Sequence, residues 1–577
     1  MSNHPEKIAL KPYLEKVTAL CDSLSREELT EIIQSLASDC AAGKRMPFLK
    51  RIKNVISDDK PDRAAGEDWI LDDIRELKEE IRERVESIED GSYWDDPDDW
   101  DDSYDDDDPD SVNEEQLDDL ETLFLEVNAL FLKDNLELAR KGYQSLLELL
   151  EETGIDPEFF PMSEIREARA RYCRCVYEST PWEMRLGDFL LAMEVDLFSH
   201  WCIDDLFPLY PTLQDVIDAK PGTMEGLSEF LGEMKSALLE GDPVGRRAIL
   251  IAEIVEKIEG LDGLKELAGK WQDQQPFGYY FWLHRLKKDE KWREVVNIGS
   301  EALSVIQKPE FRWQIANFLI EAGTVLGDLN TILLGKRERF FAQPNEQSML
   351  HLLDEAILQD ARSRELAAVL DFLEGMENNE REMKHLLVVA LLASSKLEEA
   401  FEIVQKSKSI GWSRNSTGLV FAAVLASMTV DTKEANTVNL MLKQYADDSP
   451  LYFGYYMAPG SSGTNPKTRS SEEINKGLIG SCHPESNLKK YLAWADKIGQ
   501  SRIEHIVSNK QRGAYDRSAR VLGALMETYS IIGETGKAKD MFTSFYHEKF
   551  KRFSAFRKEV KLVVSQSQVL KNLKLQI

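Results

Sequence analysis

The sequence predicts an all-α protein built from stacked helical hairpins, either as a repeat-like solenoid or as a less regular helical array. Apolar residues recur at helical spacing along most of the 577 residues. Alternating Val, Ile and Thr runs closed by Asn-Gly or Asp-Gly turns, which would indicate β-hairpins, are nearly absent. Several segments also contain two amphipathic helices around a short polar turn. With 42% hydrophobic residues, a chain of this length can form several domains.

Residues 1–88 are predicted to form an N-terminal helical region. Two helices are indicated within 8–38, and Ser25 with Glu28 forms a capping box at the start of the second. A further amphipathic helix is predicted over 69–88, because apolar residues there repeat every three or four positions. They are Ile70, Ile74, Leu77, Ile81, Val85 and Ile88.

An aspartate-rich tract follows, and residues 89–113 are predicted to be a disordered linker between separately folding parts. Eleven of the sixteen residues in 95–110 are aspartate, and their mutual repulsion prevents a packed core. The tract lacks the central glycine of an EF-hand loop, which argues against a defined calcium site. It is predicted to attract a basic protein surface. The candidate partner-binding residues are Asp95, Asp96, Asp98, Asp99, Trp100, Asp101, Asp102, Tyr104, Asp105, Asp106, Asp107 and Asp108.

Residues 114–446 are predicted to form a domain of helical hairpins. The first hairpin has its turn at 133–135, with Ala139 and Tyr143 facing inward from its second helix. Further turns are predicted after Leu286, at Gly327-Asp328 and at Ser394-Ser395-Lys396, and the same layout returns near the C-terminus. The inward positions that follow these turns are Val295, Gly299, Ala302, Ala400 and Val404, and Ala538 and Phe542 in the C-terminal copy.

These hairpins resemble degenerate tetratricopeptide repeats. Tyr529, Ala538 and Phe542 match that pattern best, with an aromatic residue nine positions before a small one. Corresponding inward positions are 37, 68 and 138 residues apart, close to one, two and four times the ~34-residue repeat. The resemblance implies a stacked array with an extended surface that binds other proteins.

A second break is predicted at 447–488, a hinge rich in Gly, Ser, Pro and Asn. Residues 489–577 would then form a separate basic helical domain, or the hinge would be a long insertion between stacked helices. From residue 490 onward the net charge is +9, although the whole chain carries −32. This overall charge argues against direct binding to nucleic acid.

The basic and aromatic stretch 549–558 is a candidate contact for an acidic partner, which could be the tract of the same chain. Phe550, Phe553 and Phe556 recur at a spacing that suits a buried helical face. The charged residues would lie outside this face, as a solvated surface or a binding patch. They are Lys549, Lys551, Arg552, Arg557 and Lys558.

No motif indicates catalysis, a cofactor or a metal. Cys173 and Cys175 lie in a helical pattern, where residues two apart point about 200° apart and do not converge on one ion. Cys482 and His483 are adjacent, which does not suit a catalytic pair. The chain has no phosphate-binding glycine loop and no Gly-x-Ser-x-Gly motif.

The sparse cysteines, the absence of a signal-peptide pattern and the short apolar stretches predict a cytoplasmic protein without a membrane segment. We therefore predict a non-enzymatic helical scaffold or regulator that binds protein partners. An enzyme of unrecognised class is the alternative that would need side chains converging from distant positions.

A further alternative is a regulated protease substrate. In size, helical layout and late hinge, with Met441, Leu442 and Lys443 nearby, the chain resembles the accessory protein of bacterial type III-E CRISPR systems. In that family a caspase-like CHAT protease cuts the protein, and the N-terminal part restrains a sigma factor. The resemblance implies cleavage at or near 441–443, with a protease and a sigma factor as partners.

Overall fold

The computed structural model describes residues 10–38, 69–90, 112–153, 162–195, 210–376, 381–409, 411–412, 416–429, 434–447, 466–467, 469–480 and 484–577. Over these ranges the chain forms 26 α-helices and no β-strand, which confirms the all-α prediction. The chain divides into two compact units, Met1–Phe281 and Trp282–Ile577. None of the helices within these ranges is long and apolar enough to cross a membrane.

Unit 1 contains ten helices and the beginning of an eleventh among its described residues. Their bounds are α1 Leu10–Asp22, α2 Arg26–Ser38, α3 Trp69–Asp90, α4 Glu114–Leu132, α5 Leu136–Thr153, α6 Met162–Ser179, α7 Trp182–Ala192, α8 Leu213–Asp218, α9 Leu227–Leu239, α10 Gly245–Trp271 with a break at Gly260, and α11 Phe277–Lys288, in which unit 2 begins.

Unit 2 contains the remaining helices. Their bounds are α12 Trp292–Val305, α13 Pro309–Leu326, α14 Leu329–Ala342, α15 Glu346–Leu358, α16 Arg362–Gly375, α17 Arg381–Ala393, α18 Leu397–Val404, α19 Thr417–Thr429, α20 Asn436–Asp447, α21 Ser470–Ile479, α22 Glu485–Ser508, α23 Tyr515–Ile531, α24 Thr535–Phe542, α25 Ser554–Gln566 and α26 Gln568–Asn572, with a short 3₁₀ helix at Arg512–Ala514 and a π-helix at Thr543–Lys549.

Local signals in unit 1 produce the predicted elements. The Glu28 amide donates to the Ser25 hydroxyl (3.2 Å), and the Ser25 amide donates to the Glu28 carboxylate (2.7 Å), so the predicted capping box is present. The first hairpin turns between α4 and α5, where Asp134 adopts a φ of 64°. Ala139 and Tyr143 are fully buried, as their spacing predicts.

The acidic tract does not separate two folded parts of the chain. Helix α3 precedes the tract, and it packs against α4 and α5, which follow the tract. Four residues of its apolar face are buried: Ile70, Ile74, Leu77 and Ile81. The prediction that 1–88 and 114–446 fold apart is therefore wrong, because this apolar face is covered by helices on the far side of the tract.

Helices that are consecutive in the chain pack against each other through much of unit 2. Contacts run from α12 to α13, and onward through each next helix as far as α19. The predicted turn between α13 and α14 is formed by Gly327, which has a φ of 68° at the helix end. Asp328 then caps α14 by accepting from the amides of Asn330 (3.1 Å) and Thr331 (3.3 Å).

The C-terminal helices share this core, so 489–577 is not a separate domain. One apolar cluster extends from Leu333 to Leu573. The buried carboxylate of Glu527 on α23 joins distant parts of it. This carboxylate accepts from the Val438 amide (2.9 Å), the Thr437 hydroxyl (3.2 Å) and the Ser567 hydroxyl (2.5 Å). Burial raises the pKa of Glu527, and these neutral donors oppose the rise.

Helix α21 lies within the segment predicted to be a hinge, so the hinge prediction is wrong for 470–479. The helix packs against α17, α19 and α20, and Ile474 and Leu478 are buried. A Cβ atom on Gly477 would lie 2.0 Å from the Leu392 carbonyl oxygen. Glycine therefore allows the backbones of α21 and α17 to approach closely. Residues 448–465 of the predicted hinge lie outside the described ranges.

Polar contacts hold both ends of α21 on the surface formed by α17, α19 and α20, which we call the seat of α21. The buried Glu473 carboxylate accepts from Arg362 Nε (2.7 Å), and the Ser395 hydroxyl donates to the Gly477 carbonyl (2.8 Å). At the helix start, Ser470 donates to Glu346, and the Ser471 hydroxyl donates to Asp447 (2.7 Å). The seat thus pairs buried carboxylates with specific donors, which favours one position of the helix.

Replacing Gly477 with Ala should destabilise the contact between α21 and α17. The new methyl group meets backbone rather than a movable side chain, and overpacking of this kind costs about 1–3 kcal/mol. Hydrogen exchange over 381–393 and 470–479 measures the loss. Gly536→Ala is the matched control, since a Cβ there meets nothing within 4 Å. A Gly477→Ala protein with unchanged protection would contradict the close approach.

The seat of α21 should weaken as the pH rises. Burial raises the pKa of Glu346 to about 7, and the Asp447 carboxylate raises it further, although the Ser470 hydrogen bond lowers it. A carboxyl with a raised folded-state pKa stabilises the folded state below its unfolded value of 4.5, and this contribution is lost as the pH rises through about 7.

Protection factors for 470–479, corrected for intrinsic exchange, should therefore fall between about pH 5 and pH 8 in the native protein. Glu346→Gln should flatten this dependence, because the amide does not ionise. Glu472→Gln, at an exposed position on α21 itself, should retain this pH dependence. Equal pH dependence in all three proteins would show that Glu346 does not control the seat.

Candidate docking site in unit 2

Three inter-helix turns lie next to one another along one edge of unit 2. Gln359 Nε2, in the turn between α15 and α16, donates to the carbonyl of Leu329, which directly follows the turn between α13 and α14 (2.7 Å). Arg362 Nη2 donates to the Ala393 carbonyl (3.1 Å), beside the turn between α17 and α18. Ser395 in that turn donates to Gly477 of α21. We call the turns at 327–328, 359–361 and 394–396 the turn edge.

Large apolar side chains are exposed along the turn edge. Leu329 is 47% exposed and Leu358 is 65% exposed, and they flank the two turns that Gln359 joins. Ile479, at the end of α21, is also exposed. The other exposed apolar residues at these turns are Val325, Leu326 and Ile357. Scattered exposed leucines are ordinary on a protein surface, but several on neighbouring turns are typical of a docking surface.

A cleft opens beside these turns, with a volume of about 360 Å³. Asn330, Leu333, Leu334 and Arg337 line it from one face of α14, where their spacing of three, four and seven residues places them together. Arg364 of α16 lines the other part. We call this the arginine cleft. Its volume lies at the small end of the range for ligand pockets, which suits one or two side chains.

A buried carboxylate holds both arginines of the cleft. Glu365 is fully buried, and it accepts from Arg337 Nε (2.6 Å) and Nη2, and from Arg364 Nε (3.0 Å). Burial alone would raise the pKa of Glu365. The hydrogen bonds from the two guanidinium groups outweigh burial, and the pKa of Glu365 is lowered. Two cations and one anion leave the cleft with a net charge of +1.

Charge is divided unequally between the two units. Residues 282–577 contain 41 Lys and Arg against 36 Asp and Glu, a net charge of +5, so residues 1–281 carry −37. The surplus of acidic groups therefore belongs to unit 1, which contains the aspartate tract. The basic surplus of unit 2 lies in its C-terminal part, because residues 490–577 carry +9 and residues 282–489 carry −4.

Two residues of the predicted basic patch, Lys549 and Arg557, contact other side chains of the chain. Lys549 pairs with Glu504 and lies over the Phe545 ring, and Arg557 lies 4.3 Å from the centre of the Tyr546 ring. Lys551, Arg552 and Lys558 are exposed. The three phenylalanines do not share one helix. Phe550 and Phe553 precede α25, and the ring of Phe550 contacts the rings of Phe553 and Phe556 edge to face.

Two of the three residues proposed as a cleavage hinge are inaccessible. Met441 and Leu442 are buried on α20, and only Lys443 is exposed. Protease cleavage concentrates in exposed loops, because the chain must leave its helix to enter a protease. Cleavage at 441–443 therefore requires local opening of α20, and the cleavage itself stays a prediction. The predicted partner-binding residues of the acidic tract lie outside the described residues.

The cysteines of α6 are structural. Cys173 and Cys175 are fully buried, and the Cys173 thiol donates to the Ala192 carbonyl (3.3 Å). Burial raises the pKa of Cys173 to about 12, which removes the thiolate that reaction or metal binding requires. No group of three or more His, Cys, Asp or Glu side chains within the described ranges is arranged to hold a metal ion. Cys482 and His483 lie outside those ranges.

Arg337, Arg364 and Glu365 were not among the residues predicted from sequence. Their pairing joins α14 to α16 across a whole intervening helix, and no local motif marks such a contact. One signal was present. Asn330, Leu333, Leu334 and Arg337 form a helical stripe that mixes apolar and basic residues. Such a stripe is equally common on solvated helices.

Comparison with known proteins identifies no relative of this chain. No protein-family model matches it, and no curated protein shows significant sequence similarity to it. Function must therefore be inferred from the site itself.

Proposed function

We propose that the protein is a helical scaffold that docks a protein partner on the turn edge of unit 2. The observation that carries this proposal is the row of exposed apolar side chains on adjacent turns that hydrogen bonds hold together. A rigid surface binds with little loss of conformational entropy, so apolar anchors on it contribute efficiently to affinity. The arginine cleft beside the row provides polar specificity.

The aspartate tract supplies a second and different contact in this proposal. Its carboxylates would attract a basic protein surface and would release counterions on binding. Unit 1 carries −37, which strengthens long-range attraction of such a partner. The scaffold would then hold a basic protein through the tract and another protein through the turn edge.

Replacing Leu329 and Leu358 with Ser should abolish docking on the turn edge. Each leucine that a partner buries contributes about 1.5–3 kcal/mol, so the double change should weaken binding at least about a hundredfold. Affinity purification from the native host with tagged full-length protein, followed by mass spectrometry, measures which proteins are lost.

The matched control is Leu440→Ser with Leu562→Ser, since both leucines are 50% exposed and lie on α20 and α25, which contribute no turn to the turn edge. Proteins retained by the native chain and by the control, but not by the Leu329 and Leu358 variant, are the expected result. Identical sets of proteins for both variants would contradict docking on the turn edge.

Neutralising the aspartates at 105–108 to Asn should weaken binding to a cationic polymer, with poly-L-lysine as the probe. The matched control changes the same charge on α3, at the exposed residues Glu76, Glu79, Glu80 and Glu83. Fluorescence anisotropy at rising salt should show a steep loss of affinity for native protein and a shallower one for the tract variant. Equal effects from both variants would assign the attraction to net charge rather than to the tract.

A further inference from the structure

We propose that the arginine cleft is a receptor for an acidic side chain of the protein segment that docks on the turn edge. The inference rests on the proposed docking function and adds the chemistry of the partner: an Asp or Glu close to an apolar anchor such as Leu, Ile or Phe. The anchor would cover the exposed leucines, and the carboxylate would enter the cleft.

The two guanidinium groups have donors to spare for a ligand. A guanidinium carries five N–H groups, and Glu365 engages two nitrogens of Arg337 and two of Arg364. The remaining donors belong to side chains that line an open cleft. Arginine is the side chain best suited to a carboxylate, because its planar fork can make two parallel hydrogen bonds.

Glu365 makes this receptor rigid before a partner arrives. The carboxylate is fully buried, and it forms ion pairs with both Arg337 of α14 and Arg364 of α16. Side chains held in place lose less entropy when they bind. Glu365 is therefore a positioning residue, which orients the arginines without contacting the partner.

The three paired side chains carry a net charge opposite to that of a carboxylate. Two arginines and one glutamate leave +1, which a single carboxylate neutralises. Leu333 and Leu334 add an apolar lining, and Leu329 and Leu358 lie at the adjoining turns. This mixture suits an amphipathic protein segment. It does not suit the evenly charged backbone of nucleic acid, which the net charge of −32 also repels.

A random peptide library displayed on phage tests the inference without a known partner. The library is selected on full-length native protein, on Arg364→Gln, and on the Leu329→Ser and Leu358→Ser double variant. Enriched peptides from the native protein should contain Asp or Glu close to a large apolar residue. Synthetic copies should bind Arg364→Gln about tenfold more weakly by anisotropy, because a hydrogen bond to a charged group is lost.

Arg337 needs a variant that keeps the fold. Removing Arg337 alone would take two hydrogen bonds from the buried Glu365 carboxylate, and loss of a partner from a buried ion pair is strongly destabilising. Arg337→Met with Glu365→Met removes both charges and fills similar volume. It should lose the preference for acidic peptides and retain the preference for apolar ones. Glu365→Gln should weaken the binding of acidic peptides and leave the binding of apolar ones unchanged, because the amide no longer holds both guanidinium groups in place. A purely structural role for Glu365 would weaken the binding of both kinds of peptide alike.

The outcomes separate the inference from the proposed function. Enrichment that depends on Leu329 and Leu358 but shows no acidic preference overturns the carboxylate receptor and leaves docking in place. No enrichment over the leucine variant overturns both. Binding of fluorescent single-stranded RNA that requires Arg364 would also overturn the inference, since it would make phosphate the ligand.

Discussion

In the first half of unit 2, each helix packs against the helix that follows it in the chain. This nearest-neighbour packing runs without a break from α12 to α19, and it places alternate turns side by side. The turns at 327–328, 359–361 and 394–396 become neighbours for this reason, and side-chain bonds to backbone carbonyls join them. Surfaces assembled this way are extended and rigid, which is the usual basis of protein binding by stacked helices. The proposed docking site is thus a consequence of how the core is built.

Buried carboxylates recur at the points where distant helices meet. Glu473 pairs with Arg362 and seats α21, Glu527 receives three neutral donors and joins the C-terminal helices to α20, and Glu365 holds two arginines. A buried charge adds little net stability over an apolar residue, but its geometry is demanding, so it favours one arrangement of helices. Glu365 is also buried, but the two arginines that pair with it line an open cleft.

The two units have opposite electrostatic character, with −37 in unit 1 and +5 in unit 2. In the proposed function, a basic partner would bind through the aspartate tract and an acidic segment through the arginine cleft. Attraction by the aspartate tract acts at long range and is weakened by salt. Contacts of apolar anchors and oriented arginines are short-range, and salt weakens them less. Partners of the two kinds would differ in the salt dependence of their binding.

Local rules were enough to predict much of the helical layout. The Ser25–Glu28 capping box, the first hairpin turn and the burial of Ala139, Tyr143, Tyr529 and Ala538 all follow from residues within a few turns of one another. Contacts between distant segments could not be predicted in this way. Composition suggested a hinge at 470–479, yet Gly477 and Arg362 make it a packed helix. The aspartate tract suggested a domain boundary, yet α3 before the tract packs against helices that follow it. Helical periodicity identifies which face of a helix is apolar, but the partner of that face depends on surface complementarity between residues far apart in the chain. The pairing of Arg337 with Glu365, and with it the cleft, belongs to this second kind.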